Sequence, residues 1–190
     1  MKTQKIKRYR LGVSKTFPTT HPRKGEQTFF VEKIQNNANL FCMSATTRVL
    51  SEAEFGVKTH TIRSNYPLWE KRMAEVQAGR AVIELFYWAD KPYRSKQVVF
   101  ATLDKDSGCG VQELKMVDHG NFTYLTINNP NEKPHIHSDC VDFEQKKSCV
   151  KLIQYLSEND GLSIEDFKEW FKGYDLSKKM AIIHFTKFRY

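Results

Sequence analysis

Two apolar stretches lie close together in the middle of the chain: Ala81-Val-Ile-Glu-Leu-Phe-Tyr-Trp88 and Gln97-Val-Val-Phe-Ala-Thr-Leu103. Both are rich in β-branched and aromatic residues, which favour strands. Between them lies the short basic segment Lys91-Pro-Tyr93-Arg94-Ser-Lys96, whose proline and serine are typical of turns. The sequence therefore predicts a strand, a loop and a strand, with both strands in the core.

Further strands and helices are predicted on both sides of this unit. The strands cover residues 6–14, 59–62, 111–116, 122–127 and 180–188. The helices begin at Thr28, at Asn65, which is followed by Pro67, near Cys149 and at Ser163. Because the helices occur at intervals and do not alternate strictly with strands, the pattern favours an α+β protein, a small β-barrel with peripheral helices, over a doubly wound sheet.

Length and composition indicate one domain that spans residues 1–190. The best apolar run, residues 81–89, already contains Glu84, so no membrane span is expected. Residues 1–10 are basic but no apolar segment follows them, so we expect no secretory signal and a cytoplasmic protein. The four cysteines have no C-x-x-C spacing and are interpreted as free thiols.

Positive charge is concentrated near the N-terminus. Residues 1–50 contain 10 Lys or Arg against 2 Asp or Glu, within a chain of net charge +8. Such a local field attracts polyanions, which makes nucleic acid or nucleotide phosphate the partner to expect. A solvated basic face without a ligand is an equally good interpretation.

The segment Gly56-Val-Lys58-Thr-His-Thr61-Ile-Arg63 concentrates a lysine, a hydroxyl and an arginine at the start of a predicted strand. In a regular strand Lys58 would face away from Thr61 and Arg63, so the three converge only if a turn at Gly56 moves Lys58 out of the pleat. The alternative is an edge strand whose polar residues point outward.

This segment resembles the G-x-K-x-x-E-x-R signature of the ASCH domains, small PUA-like β-barrels associated with RNA and nucleotide handling. Thr61 stands where most members have glutamate, and residues 58–63 match the K-T-x-T-I-R of the bacterial subgroup that hydrolyses N(4)-acetylcytidine. Residues 28–30, 158–168 and 182–185 are also similar to that subgroup. The resemblance covers about half of the chain, and residues 36–54, 66–79 and 104–150 are interpreted as insertions.

The resemblance implies an amidohydrolase with Lys58, Thr61 and Glu158 as catalytic residues, although Asp160 could take the place of Glu158. Arg63 would hold the substrate, a modified pyrimidine nucleoside or RNA containing one, and no metal or cofactor is implied. A lysine that is desolvated beside an arginine has a lowered pKa and can act as a general base towards Thr61 or a water. The alternatives are a non-catalytic module that binds RNA or a modified base in the same pocket, and an interaction protein whose barrel is only a scaffold.

Two further segments contain residue types that bind nucleic acid or metal ions. Tyr93, Arg94 and Lys96 combine a ring for stacking with charges for phosphate, the pairing that suits single-stranded nucleic acid, so we predict that they bind substrate. The alternative for this segment is a cationic hairpin tip over core aromatic residues. His135-x-His137-x-x-Cys140 provides three zinc-ligand types but no evident fourth, and is interpreted as a polar loop, not a metal site.

Overall fold

The computed structural model describes residues 6–37, 51–118, 123–128 and 152–190. His135, His137 and Cys140 lie outside these ranges, as do large parts of the predicted insertions 36–54 and 104–150. Seven strands are described: β1 (Lys7–Gly12), β2 (His60–Ser64), β3 (Ala81–Trp88), β4 (Gln97–Leu103), β5 (Gly110–Asp118), β6 (Thr123–Asn128) and β7 (Met180–His184). The helices in these ranges are α1 (Phe30–Gln35), α2 (described over residues 51–55), α3 (Tyr66–Gln77), α4 (described over residues 152–159) and α5 (Ile164–Phe171).

The strands form two small sheets. In the first, of order β1-β3-β4, β1 is parallel and β4 antiparallel to β3. The second, of order β2-β7-β5-β6, is antiparallel throughout. The predicted α+β class is confirmed. Within the described residues the strands remain two open sheets and do not form one closed barrel.

The two central strands differ in burial. β3 and β4 begin and end where the sequence predicts, and β3 buries Ile83 and Leu85 against the core. The prediction of β4 as a second core strand is wrong, because β4 lies at the end of the order β1-β3-β4, buries only Leu103 and leaves Val99 39% exposed. β7 is buried along its whole length because β2 and β5 pair with its two edges and the core covers its faces. This burial carries His184, at the end of β7, into the interior.

Helix α3 begins at the predicted cap and belongs to the core. Asn65 has a left-handed backbone, and its side-chain oxygen accepts a hydrogen bond from the Leu68 backbone N–H at 3.3 Å. Trp69 and Met73 are buried where the helix packs against β3, β5 and β7. The segment predicted as an insertion over 66–79 therefore completes the packing of both sheets. No helix in the described ranges has the length and apolar character needed to cross a membrane.

The start of α1 differs from the prediction. Phe29, not Thr28, is the residue before the first turn, and it has a left-handed backbone (φ 55°, ψ 25°) without a side-chain cap. Thr28 lies one residue earlier, where its hydroxyl donates to the Ser14 carbonyl at 2.7 Å and accepts from the Phe30 N–H at 3.3 Å. The hydroxyl still satisfies one free N–H of the first turn, but it also joins the helix to the loop after β1.

Candidate functional site

The segment before β2 is held between α1 and the C-terminal end of α4. The Lys58 N–H donates to the Lys33 carbonyl at 3.0 Å, and the Thr59 N–H donates to the Asn159 carbonyl at 2.9 Å. Gly56, with φ of 77°, provides the preceding turn. β2 starts only at His60, so Lys58 lies before the pleat, as convergence with Thr61 and Arg63 requires. All three residues line one cleft.

A buried ion pair forms the floor of this cleft. The Lys58 ammonium donates to a carboxylate oxygen of Asp160 and to its backbone carbonyl, each at 2.5 Å, and lies 4.2 Å from the centre of the Phe30 ring. Lys58 is only 1% exposed. Burial lowers the pKa of Lys58 to about 8, although Asp160 opposes the shift. Burial also raises the pKa of Asp160, and here Lys58 opposes the shift.

Thr61 and Arg63 form the wall above the ion pair. Arg63 is half-buried and donates to the Gly12 carbonyl at 2.6 Å and to the Ile62 carbonyl at 2.9 Å. The bond to Gly12 joins the second sheet to the end of β1, and the two bonds together hold the guanidinium at the cleft. The cavity volume is about 20 Å³, enough for about one water molecule. The arrangement therefore brings an amine of lowered pKa, a hydroxyl, a carboxyl group and a guanidinium to one water-sized space.

Glu158 does not join this cleft. Its carboxylate is exposed, accepts a hydrogen bond from Gln154 at 2.8 Å and lines a different, larger cavity. Asp160, which the sequence offered as the alternative acid, is the one that contacts Lys58. The two acids lie in different elements: Glu158 is on the exposed face of α4, whereas Asp160 follows the last residue of α4, in the turn that contains Gly161 (φ of 75°), and is buried.

The other predicted binding residues lie at the tip of the β3–β4 hairpin. Tyr93, Arg94 and Lys96 are exposed, and none of them lines the cleft. Tyr93 is 88% exposed and has a left-handed backbone with φ of 63°, while its ring lies 5.5 Å from the ring of Trp88. The structure thus keeps this group together but separates it from the residues that surround Lys58.

His60 is a site residue that the sequence did not indicate. It is fully buried at the start of β2, with Nε2 3.9 Å from a carboxylate oxygen of Asp160 and Nδ1 3.3 Å from the Tyr190 hydroxyl. Burial lowers its pKa well below the usual value, with the Lys58 charge adding to the shift, so the imidazole is neutral. Its only sequence signal is its place in a β-prone run, which does not distinguish a core histidine from a site residue.

In the described ranges, no group of three His, Cys, Asp or Glu residues could hold a metal ion. A comparison of the chain with protein-family models, with curated proteins and with solved structures finds no match.

Proposed function

We propose that the chain is an ASCH-type amidohydrolase that removes an acyl group from the exocyclic amine of a modified cytidine. The observation that carries the proposal is the convergence of Lys58, Thr61 and Arg63 on one cleft whose acid is Asp160. The motif over residues 56–63 supports the same class. We further propose that the two sheets correspond to the PUA-like barrel of that class, with α3 as an addition that packs across them.

The chemistry follows from the buried lysine. With a pKa of about 8, about a tenth of Lys58 is neutral at pH 7, and this neutral amine can act as a general base. It takes the proton from the nucleophile, either Thr61 or a water, as the oxygen attacks the acyl carbonyl. The C–N bond then breaks, and the protonated Lys58 returns the proton to the leaving amine. If water is the nucleophile, this step forms the carboxylic acid. If Thr61 is the nucleophile, the acyl group is held as an ester on Oγ1, and a water deprotonated by Lys58 then displaces the Thr61 oxygen, which regains its proton from Lys58.

Asp160 and Arg63 do not react themselves but position the lysine and stabilise the charge that develops on the substrate. Asp160 orients the amine of Lys58 through its hydrogen bond. Arg63 has guanidinium N–H groups beyond those that donate to Gly12 and Ile62, and in the proposal these face the negative charge that develops on the carbonyl oxygen. Since the cavity holds about one water, we expect only the acyl carbonyl to approach the reacting groups, with the ring and sugar outside.

The test is loss of the acetyl group from N(4)-acetylcytidine, followed as release of cytidine by chromatography. Lys58→Met removes the amine but keeps an apolar side chain of similar length, and we expect turnover to fall at least a thousandfold. Lys24→Ala, at an exposed lysine outside the cleft, should leave turnover unchanged. The wild-type kcat/KM should rise with pH to a plateau with a midpoint near 8, because the base is the neutral amine. Turnover that survives Lys58→Met would contradict the catalytic assignment.

A second candidate, RNA binding without catalysis, is favoured by the hairpin tip. An exposed tyrosine held at positive φ beside Lys91, Arg94 and Lys96 offers a stacking face together with phosphate contacts. RNA affinity should then fall steeply with salt and with charge reversal at these three residues. Tyr93→Asn, which suits the left-handed backbone, should weaken binding without loss of stability. Binding that is insensitive to salt and to these changes would exclude this candidate.

A further inference from the structure

A second cavity, about 420 Å³ in volume, lies beside the Lys58 cleft. We name it the aromatic cavity because Phe17, Phe29 and Phe55 line it, together with the exposed Glu158. Its size is within the range of small-molecule sites, whereas the Lys58 cleft has room for about one water. It can therefore hold a ring system that the Lys58 cleft cannot.

The wall between the two cavities is thin. At three places, two consecutive residues line different cavities. Phe29, Val57 and Gly161 line the aromatic cavity, and their chain neighbours Phe30, Lys58 and Asp160 line the Lys58 cleft. No residue lines both spaces. The aromatic cavity is therefore a separate site adjacent to the proposed reacting groups.

Phe29 is held in an unfavourable conformation although it is not part of the core. Its left-handed backbone (φ 55°, ψ 25°) is one that side chains other than glycine and asparagine rarely adopt. Its side chain is 42% exposed, so burial does not explain the strain. Its ring lies 5.1 Å from the ring of Phe55 at an angle of 34°. Strain of this kind, kept at the edge of a cavity, points to a ligand that uses the ring.

Glu158 provides the polar group that selects the ligand. The two cations of the cavity have partners, because Arg23 donates to Asp166 at 2.6 Å and Lys33 donates to the Gly161 carbonyl at 2.7 Å. Within the described ranges, the Glu158 carboxylate accepts one hydrogen bond, from Gln154 to Oε1. Its other oxygen can accept a hydrogen bond from a ligand donor such as an amine. A carboxylate that accepts from the exocyclic amine is a known way to recognise cytosine.

We propose that the aromatic cavity binds the cytosine base of free cytidine, the product of the proposed reaction, which stacks against the Phe29 and Phe55 rings and donates its exocyclic amine to Glu158. The choice of cytosine over other amine-bearing rings rests on the proposed function, whereas the existence of a ring-binding site rests on the cavity itself. Aromatic stacking supplies affinity for any base, and the carboxylate supplies the selection between an amine and a carbonyl.

Phe29→Gly tests the stacking role. Glycine adopts the left-handed backbone without strain, so the variant should have an unchanged or higher Tm while its cytidine affinity, measured by calorimetric titration of the full chain, falls at least tenfold. Tyr155→Ala, at an exposed ring of α4 that lines neither cavity, should leave the affinity unchanged. A lower Tm with unchanged cytidine affinity would mean that Phe29 is structural, and would overturn the proposal.

Glu158→Gln tests whether the carboxylate selects a base with an amine over one with a carbonyl. The amide keeps the shape but can donate, so cytidine affinity should fall about tenfold and uridine affinity should rise, since uridine has a carbonyl where cytidine has the amine. Equal changes for both nucleosides, or no cytidine binding at millimolar concentration, would overturn the proposal.

Titration of the Lys58→Met protein separates this site from the proposed activity. Cytidine binding to this variant, together with absent turnover of N(4)-acetylcytidine by the wild type, would leave the site standing without the amidohydrolase. If the wild-type protein turns over N(4)-acetylcytidine, Phe29→Gly does not change that turnover and no cytidine binding is detected, the amidohydrolase would stand and the cytosine site would be excluded.

Discussion

Asp160→Asn is expected to destabilise the protein by about 2 kcal/mol at pH 7, because it removes the counter-charge of a buried lysine. Two responses compete. An ammonium that stays charged and unpaired in the interior costs about 3–5 kcal/mol. Since the pKa of Lys58 is about 8, releasing its proton at pH 7 costs about 1.4 kcal/mol, the equivalent of one pH unit. Release of the proton is the cheaper response, and the weaker hydrogen bond to a neutral amide adds less than about 1 kcal/mol.

The pH dependence follows from the lowered pKa of Lys58. The native wild-type protein releases this proton near pH 8, whereas the unfolded chain keeps it until about 10.5. The unfolded state therefore binds more protons in this window, and the free energy of unfolding rises with pH across it. Without Asp160 the pKa of Lys58 falls further, so the rise begins at lower pH. The destabilisation by Asp160→Asn should accordingly be about 1.4 kcal/mol smaller at pH 9 than at pH 7, since Lys58 is then neutral in both proteins.

The assay is urea denaturation at pH 7 and pH 9, with Glu158→Gln as the matched control. Glu158 is exposed, so its substitution should change the free energy of unfolding by less than about 0.5 kcal/mol at either pH. Lys58→Met and the double variant complete a double-mutant cycle, from which we expect a coupling energy of at least about 1 kcal/mol at pH 7. The reasoning would be refuted if Asp160→Asn cost no more than Glu158→Gln, or if its cost were the same at both pH values.

Two further substitutions test the turns that position the site. Gly161→Ala and Gly56→Ala both place an alanine at positive φ, which costs about 1–2 kcal/mol. The two sites differ in space: the new Cβ at residue 161 would lie 3.3 Å from Lys58 Cβ and 3.1 Å from Lys33 Cδ, whereas at residue 56 it would meet nothing within 4 Å. Gly161→Ala should therefore be the more destabilising by about 1 kcal/mol in urea denaturation, and equal effects would show that Lys58 and Lys33 move aside freely. Ser163→Ala removes the hydroxyl that accepts from the Asp166 N–H at 3.1 Å and should lower the free energy of unfolding by about 1 kcal/mol, whereas an unchanged value would mean that water replaces the cap of α5.

Local patterns were sufficient for most of the fold. The bounds of β3 and β4, the cap of α3 at Asn65 and the cap of α5 at Ser163 all follow from residues adjacent in the chain. The left-handed conformation of Phe29 was not predicted, because an aromatic residue carries no local preference for it. The apolar face of α3 was predicted, but not that it packs against strands of both sheets, since amphipathicity shows that a helix has a buried face and not which elements cover that face.

Hydrophobic period, caps and turns act over a few residues, so the sequence alone predicted the order and type of the strands and of the described helices other than α2, and it placed Lys58, Thr61 and Arg63 in one segment. Only the tertiary structure decided that Asp160 and not Glu158 is the acid beside Lys58, and that His60 lies behind the pair. These contacts depend on the bond from Thr59 to Asn159 and on the pairing of β2 with β7, which join segments of the chain about a hundred residues apart. Such long-range pairing reflects the packing of the whole core, and no local pattern encodes it.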